Sequence, residues 1–267
     1  MEHENNMPQA KVNGISIYYE TQGEGKPILF LHGAAMDHNA WNLQVPVLKE
    51  HFKCIMYDAR GCGDSDKPQE PYSIRMLASD AAALLDSLGI QKTHVVGNSM
   101  GGATAQELAI NHPQKIDKLV LASSVSAQDH WSKTWHHGLM AIRKKLGPEE
   151  YGEFLSCFSY TYRMFTERYA ELQELKKLTR SKPIPDFSFE NQFKAMLEHN
   201  TLDRLHLIKT PTLVVVGEED AWTPPRFSRQ IAELIPNAKL ITIKEASHSF
   251  FREKVDEANK ILLNFLS

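Results

Sequence analysis

The sequence predicts an α/β fold: a mostly parallel central sheet with helices on both faces and an inserted all-helical cap. Two observations carry this. Short apolar, β-branched runs alternate with helix-length segments through most of the 267 residues, the pattern of parallel strands joined by helical crossovers. That alternation stops between residues 128 and 207, where no strand pattern occurs. There Trp131, Trp135, Tyr151, Phe154, Phe158, Tyr162, Phe165 and Tyr169 recur at mainly helical spacings. The expected division is a core of residues 1–127 and 208–267 and a helical cap of residues 128–207.

Residues 15–20 read as an early strand, antiparallel near a sheet edge. Strands at 27–31, 53–57, 93–97, 118–122, 212–216 and 239–243 follow. Helices are expected over 40–50, 73–88, 100–111, 225–234 and 252–266. In the cap, Pro183-Ile184-Pro185 breaks the chain before a last helix near 189–199. Helices with one greasy face do not easily form a core alone, so the cap should pack over the edge of the sheet where the strands end.

Lys and Arg total 30 against 33 Asp and Glu, a formal charge of −3. No basic excess is left to grip a phosphate backbone, so nucleic acid is not an expected partner. With 42% hydrophobic and 24% charged residues, a sizeable core is available. No apolar run approaches the roughly 18 residues of a membrane span, and residues 1–10 lack the apolar stretch of a secretory signal. A cytoplasmic protein with no membrane partner is expected; nothing in the pattern sets an oligomeric state. Cys54, Cys62 and Cys157 form no CxxC pair and are odd in number, which argues against a disulfide framework or a Cys-ligated zinc. Each is expected to be plain packing.

The most informative stretch is Gly97-Asn98-Ser99-Met100-Gly101-Gly102, which follows an apolar strand pattern and opens a helical one. In that strand-turn-helix context, G-x-S-x-G lifts a serine on a turn so tight that bulkier residues two before and two after it would collide. A serine hydroxyl is a poor nucleophile at neutral pH and needs a base, itself oriented by a carboxylate. Beyond the strand at 212–216 comes Gly217-Glu218-Glu219-Asp220, and beyond the one at 239–243 comes Glu245-Ala246-Ser247-His248. Both lie where open α/β sheets build their sites. The candidate triad is Ser99, Asp220 and His248. Glu218, Glu219 and Asp129 compete for the acid, and the Gly-x-x-Asp spacing favours Asp220. For His32, His38, His51, His94 and His112 an ordinary surface histidine is the expectation. Acyl transfer also needs donors for an oxyanion, expected from the backbone N–H groups of Met100, after the nucleophile, and Ala34, in His32-Gly33-Ala34-Ala35.

Leu31-His32-Gly33, Tyr57-Asp58-Ala59-Arg60-Gly61-Cys62-Gly63-Asp64-Ser65, the Ser99 turn, Gly217-Glu218-Glu219-Asp220 and Ser247-His248 together resemble the α/β-hydrolase superfamily with a helical cap. The resemblance covers about residues 12–127 and 208–266. It implies a serine hydrolase working through an acyl-enzyme with no metal and no cofactor, on a small-molecule substrate. Arg60-Gly61 then shapes a turn rather than the chemistry. The stretch from Gly97 to Ala105 is similar to the meta-cleavage-product hydrolases, which cut carbon–carbon bonds. Those enzymes usually carry a glycine-rich oxyanion loop and a Trp just after the catalytic His; this chain has Ala34-Ala35-Met36 and Ser249-Phe250. The segment from His199 to Leu205 is equally similar to enol-lactone hydrolases and carboxylesterases. Ester or lactone hydrolysis is therefore the leading expectation, with carbon–carbon hydrolysis and a slow-turnover ligand receptor as alternatives. Arg143, Lys144, Lys145 and Arg163 are candidates for pairing a substrate carboxylate, each expected to be a solvated charge instead.

Overall fold

The computed structural model describes residues 8–267; residues 1–7, most of the polar start considered above, lie outside the described residues. Eight strands, β1 (Gln9–Val12), β2 (Ile15–Gln22), β3 (Lys26–Leu31), β4 (Phe52–Tyr57), β5 (Thr93–Asn98), β6 (Ile116–Ala122), β7 (Thr212–Gly217) and β8 (Lys239–Ile243), form one sheet. Their order is β1-β2-β4-β3-β5-β6-β7-β8. From β4 to β8 every pairing is parallel, while β1 and β2 join antiparallel. All seven expected strands are present. The eighth, β1, pairs with β2 across a two-residue turn at Asn13-Gly14, whose φ values are 47° and 81°. Asn-Gly is the sequence signature of that hairpin turn.

Alternate residues of each strand serve opposite faces, as the pleat requires. Leu29, Leu31, Ile55, Val95 and Leu121 pack under α2 (Ile74–Ser87), α3 (Met100–Asn111) and α9 (Pro225–Leu234). Ile28, Phe30, Met56, Val96 and Val120 pack on the other face, against Trp41, Leu48 and the last helices. Two expected helices are interrupted. Over 40–50 the chain makes a 3₁₀ turn (His38–Trp41) and a short α1 (Val45–Leu48), because Pro46 has no N–H and is tolerated only in a helix's first turn. The C-terminal helix divides into α10 (Phe250–Glu253) and α11 (Val255–Leu266) at Lys254.

Between β6 and β7 lie α4 (His130–Arg143), α5 (Pro148–Ser159), α6 (Tyr162–Thr166), α7 (Tyr169–Leu178) and α8 (Asp186–Glu198). Leu139, Tyr151, Phe189 and Phe193 form their own cluster, which also takes in Cys62, Ala34, Ala35 and Trp222 from loops beyond the strand ends. These helices thus cover the region where the candidate site lies. Trp131, Tyr162 and Tyr169 depart from the greasy-face pattern and are exposed. Cys54 and Cys62 are buried as expected, but Cys157 is exposed. It occupies an outward position on α5, so packing does not explain it.

Candidate active site

Ser99 sits between β5 and α3 with φ 56° and ψ −117°, a left-handed backbone that costs a non-glycine residue free energy. Close approach of three chain segments imposes it. A Cβ on Gly97 would strike the Gly101 carbonyl, one on Gly101 the Leu31 carbonyl, and one on Gly102 the Ser124 side chain. Ser124 Oγ donates to the Ser99 carbonyl at 3.0 Å and ties the turn to the end of β6. The N-terminus of twelve-residue α3 opens at Ser99, directing its partial positive charge at the hydroxyl.

The loops after β7 and β8 bring Asp220 and His248 together: His248 Nδ1 lies 2.9 and 3.0 Å from the two carboxylate oxygens. Asp220 also accepts from the backbone N–H of Trp222 and Thr223 and from the Thr223 hydroxyl, each at 2.9 Å. Burial alone would raise the Asp220 carboxyl. The charge and hydrogen bond of His248 and the Thr223 N–H outweigh it, and the carboxyl is held below its ordinary range. An ionised Asp220 fixes the proton on Nδ1 and leaves Nε2 as an acceptor. The competing acids go elsewhere. Asp129 caps α4 through Ser132 N at 2.7 Å and pairs with Arg226 at 2.8 Å. Glu219 pairs with Arg163 at 2.9 Å, and Glu218 accepts from Glu245 N at 3.3 Å.

Ala34 belongs to the loop after β3. His32 braces this loop: its Nδ1 is 2.8 Å from the Gly33 carbonyl, and its Nε2 accepts the Ala59 N–H at 3.0 Å. Nδ1 therefore carries the proton, and burial lowers the pKa of the ring, keeping it neutral. The surface reading of His32 is thus corrected, as are those of His38, whose Nδ1 meets Asp58 at 2.8 Å, and of fully enclosed His94. Gln192, from α8, accepts the neighbouring Ala35 N–H at 2.8 Å. Among the described residues no hydrogen bond takes the Ala34 N–H.

Ser99, Ala34 and Met100 share one narrow cavity of about 30 Å³ with Gln128, His136, Phe193, Met196, Trp222 and Thr223. The ring of His248, which is not part of that cavity's lining, lies 5.9 Å from the Trp222 ring, centroid to centroid. Among the described residues, no hydrogen bond joins Ser99 to His248; its Nδ1 bonds lead to Asp220 and Thr223. A wider groove of about 470 Å³ runs along α4 between His130 and Ile142 and includes none of the site residues. The sequence reading did not single out Gln128, His136, Gln192, Trp222 or Thr223. Only Trp222 and Thr223 left a signal, the Asx turn in which an Asp accepts from backbone donors two and three residues on. Asp37, His38 and Asp58 also converge, with ligand atoms within 4.8 Å of one another. Their oxygens already accept from the N–H groups of His38, Asn39, Asp64 and Lys182, so the cluster braces loops.

Residues 26–255 match the model of the α/β hydrolase fold family, and the chain belongs to that family as a hydrolase. It is 30% identical over 259 residues to RutD of Azorhizobium caulinodans, named as a carbamate hydrolase, spanning 97% of this chain and 98% of the other. It is 26% identical over 259 residues to the 2-hydroxy-6-oxo-6-phenylhexa-2,4-dienoate hydrolase of Comamonas testosteroni, covering 94% and 91%. Among solved structures, the enol-lactonase from Burkholderia xenovorans LB400 superposes with a TM-score of 0.88 at 26% identity, covering 97% and 99% of the two chains. Among the described residues no helix is long and apolar enough to cross a membrane.

Proposed function

We propose that this hydrolase cleaves a carboxylic ester or lactone of a small, partly apolar molecule through an acyl-enzyme on Ser99. The observation that carries the reading is the His248–Asp220 pair held at 2.9 Å beside a cavity that Ser99, Ala34 and Met100 share. Ser99 attacks the carbonyl as His248 Nε2 takes its proton, and Asp220 stabilises the imidazolium that forms. The N–H groups of Ala34 and Met100 receive the oxyanion, and His248 then protonates the leaving group and activates water. The enol-lactonase neighbour supports a lactone or ester as substrate.

Carbon–carbon hydrolysis has the dienoate hydrolase relative in its favour. However, no Lys or Arg lines the cavity to receive a dienoate's carboxylate. Three of the four cations named above are engaged elsewhere, Arg143 with Asp186, Lys144 with Glu190 and Arg163 with Glu219, and the fourth, Lys145, does not line the cavity. A panel of p-nitrophenyl esters of increasing chain length, simple lactones and one dienoate, compared by kcat/KM, tests the assignment. Short esters or lactones should lead. Dienoate turnover about 10²-fold above the best ester, roughly 2.7 kcal/mol of transition-state preference, would overturn it.

A further inference from the structure

The cavity beside Ser99 is bounded mainly by apolar side chains, and two of its lining residues are polar without serving the candidate triad. Gln128, in the loop between β6 and α4, is 9% exposed, and neither its Nε2 nor its Oε1 has a hydrogen-bond partner among the described residues. A buried amide with both ends unpaired is uncommon in folded proteins and carries a desolvation cost that a ligand can relieve. His136, on α4, is 7% exposed, and its Nδ1 lies 2.7 Å from the Ser132 carbonyl. A carbonyl only accepts, so Nδ1 carries the proton and the free Nε2 is an acceptor. Burial lowers the His136 pKa and keeps the ring neutral. Together the two residues offer two acceptors and one amide donor, with no formal charge in the lining.

Resting on the hydrolase reading above, we infer that Gln128 and His136 form a polar subsite for an uncharged N–H or O–H group of the substrate, next to the scissile carbonyl. The subsite favours hydroxy- or amide-bearing neutral esters over their purely apolar isosteres. It disfavours carboxylates, because the Gln128 amide alone can donate to an anion there, the His136 Nε2 lone pair opposes it and no cation in the lining compensates. Both side chains line the same cavity as Ser99, Ala34 and Met100, where the carbonyl would be attacked.

The test replaces a methyl by a hydroxyl at constant shape. Binding is measured by titration calorimetry on the Ser99→Ala protein, so no turnover is required. Methyl 3-hydroxybutyrate is compared with methyl 3-methylbutyrate for the acyl side, and 2-hydroxypropyl acetate with isobutyl acetate for the alcohol side; monomethyl succinate is the anionic probe. The expected result is at least a tenfold lower Kd for the hydroxylated member of one pair, with the succinate weaker than both members of that pair. Adding Gln128→Met or His136→Phe should bring the ratio within twofold of one. Because each ratio is read within one protein, partial unfolding of a variant does not produce or hide it. A ratio near one for both pairs in the Ser99→Ala protein, a ratio unchanged by both added substitutions, or tighter binding of the succinate would overturn the subsite. Failure of wild-type protein to turn over any ester, with the binding ratio present, would instead count against the hydrolase reading and leave the subsite standing.

Discussion

Gln192 reaches out of α8 to accept the N–H of Ala35 at 2.8 Å, while its own amide N–H₂ meets Cys62 Sγ at 2.9 Å and the Arg60 carbonyl at 3.4 Å. It is fully enclosed, and Ala35 carries a left-handed φ of 56°. Helix α8 therefore holds in place the strained residue next to the Ala34 N–H.

Gln192→Leu should lower kcat for a short ester about tenfold while KM moves less than threefold, since a misplaced oxyanion donor weakens the transition state more than the ground state. Gln192→Glu, which still accepts from Ala35 but no longer donates, should recover part of the loss. Equal losses in both variants, or a change in KM alone, would remove Gln192 from a positioning role.

Ser99→Ala should abolish ester hydrolysis with the fold intact, a drop of about 10⁴-fold or more. Steady-state kinetics and a circular dichroism spectrum check both halves. Residual activity above a tenth of wild type would exclude Ser99 as nucleophile.

Asp220→Asn should be severely impaired and Asp129→Asn nearly normal, because only Asp220 contacts His248 and Asp129 is engaged with Ser132 and Arg226. Comparing kcat/KM of the two variants tests this; the reverse ranking would move the acid to the loop after β6.

Stability should fall on mild acidification. Burial lowers His199 from 6.5 to about 4, so between those values the unfolded chain takes a proton that the folded one refuses. The stabilisation is complete above pH 6.5 and is lost as pH drops toward 4, by about 3 kcal/mol for this group. Urea midpoints measured from pH 7.5 to 4.5 should slope less in His199→Gln than in wild type. Parallel slopes would show that His199 does not titrate in this way.

How far the sequence spoke depended on whether a residue's role is local. Ser99 was legible because its turn needs glycines at fixed offsets, and Asp220 and His248 because loops at strand ends are set by strand periodicity. The Asn13-Gly14 hairpin carried a signal, but β1 is too short for its alternation to stand out. The helix expected over 40–50 followed apolar spacing and gave too little weight to Pro46. His32 read as a surface residue because its partners include Ala59, 27 residues away. Gln128, His136 and Gln192 left no trace at all. Gln192 acts on Ala35, 157 residues away, and Gln128 and His136 meet Ser99 in one cavity only once the chain has folded, so no local pattern marks any of the three.

The left-handed backbone at Ser99 is a standing cost to the stability of the fold. A residue with a Cβ is held in a conformation that glycine would adopt freely, and such strain is of the order of 1–3 kcal/mol. That is a sizeable share of the roughly 5–15 kcal/mol by which a folded domain exceeds its unfolded chain. Ser99→Gly should thus relieve part of that strain at the expense of the hydroxyl. Under the proposed mechanism, that strain is what the fold carries to hold a hydroxyl at this turn.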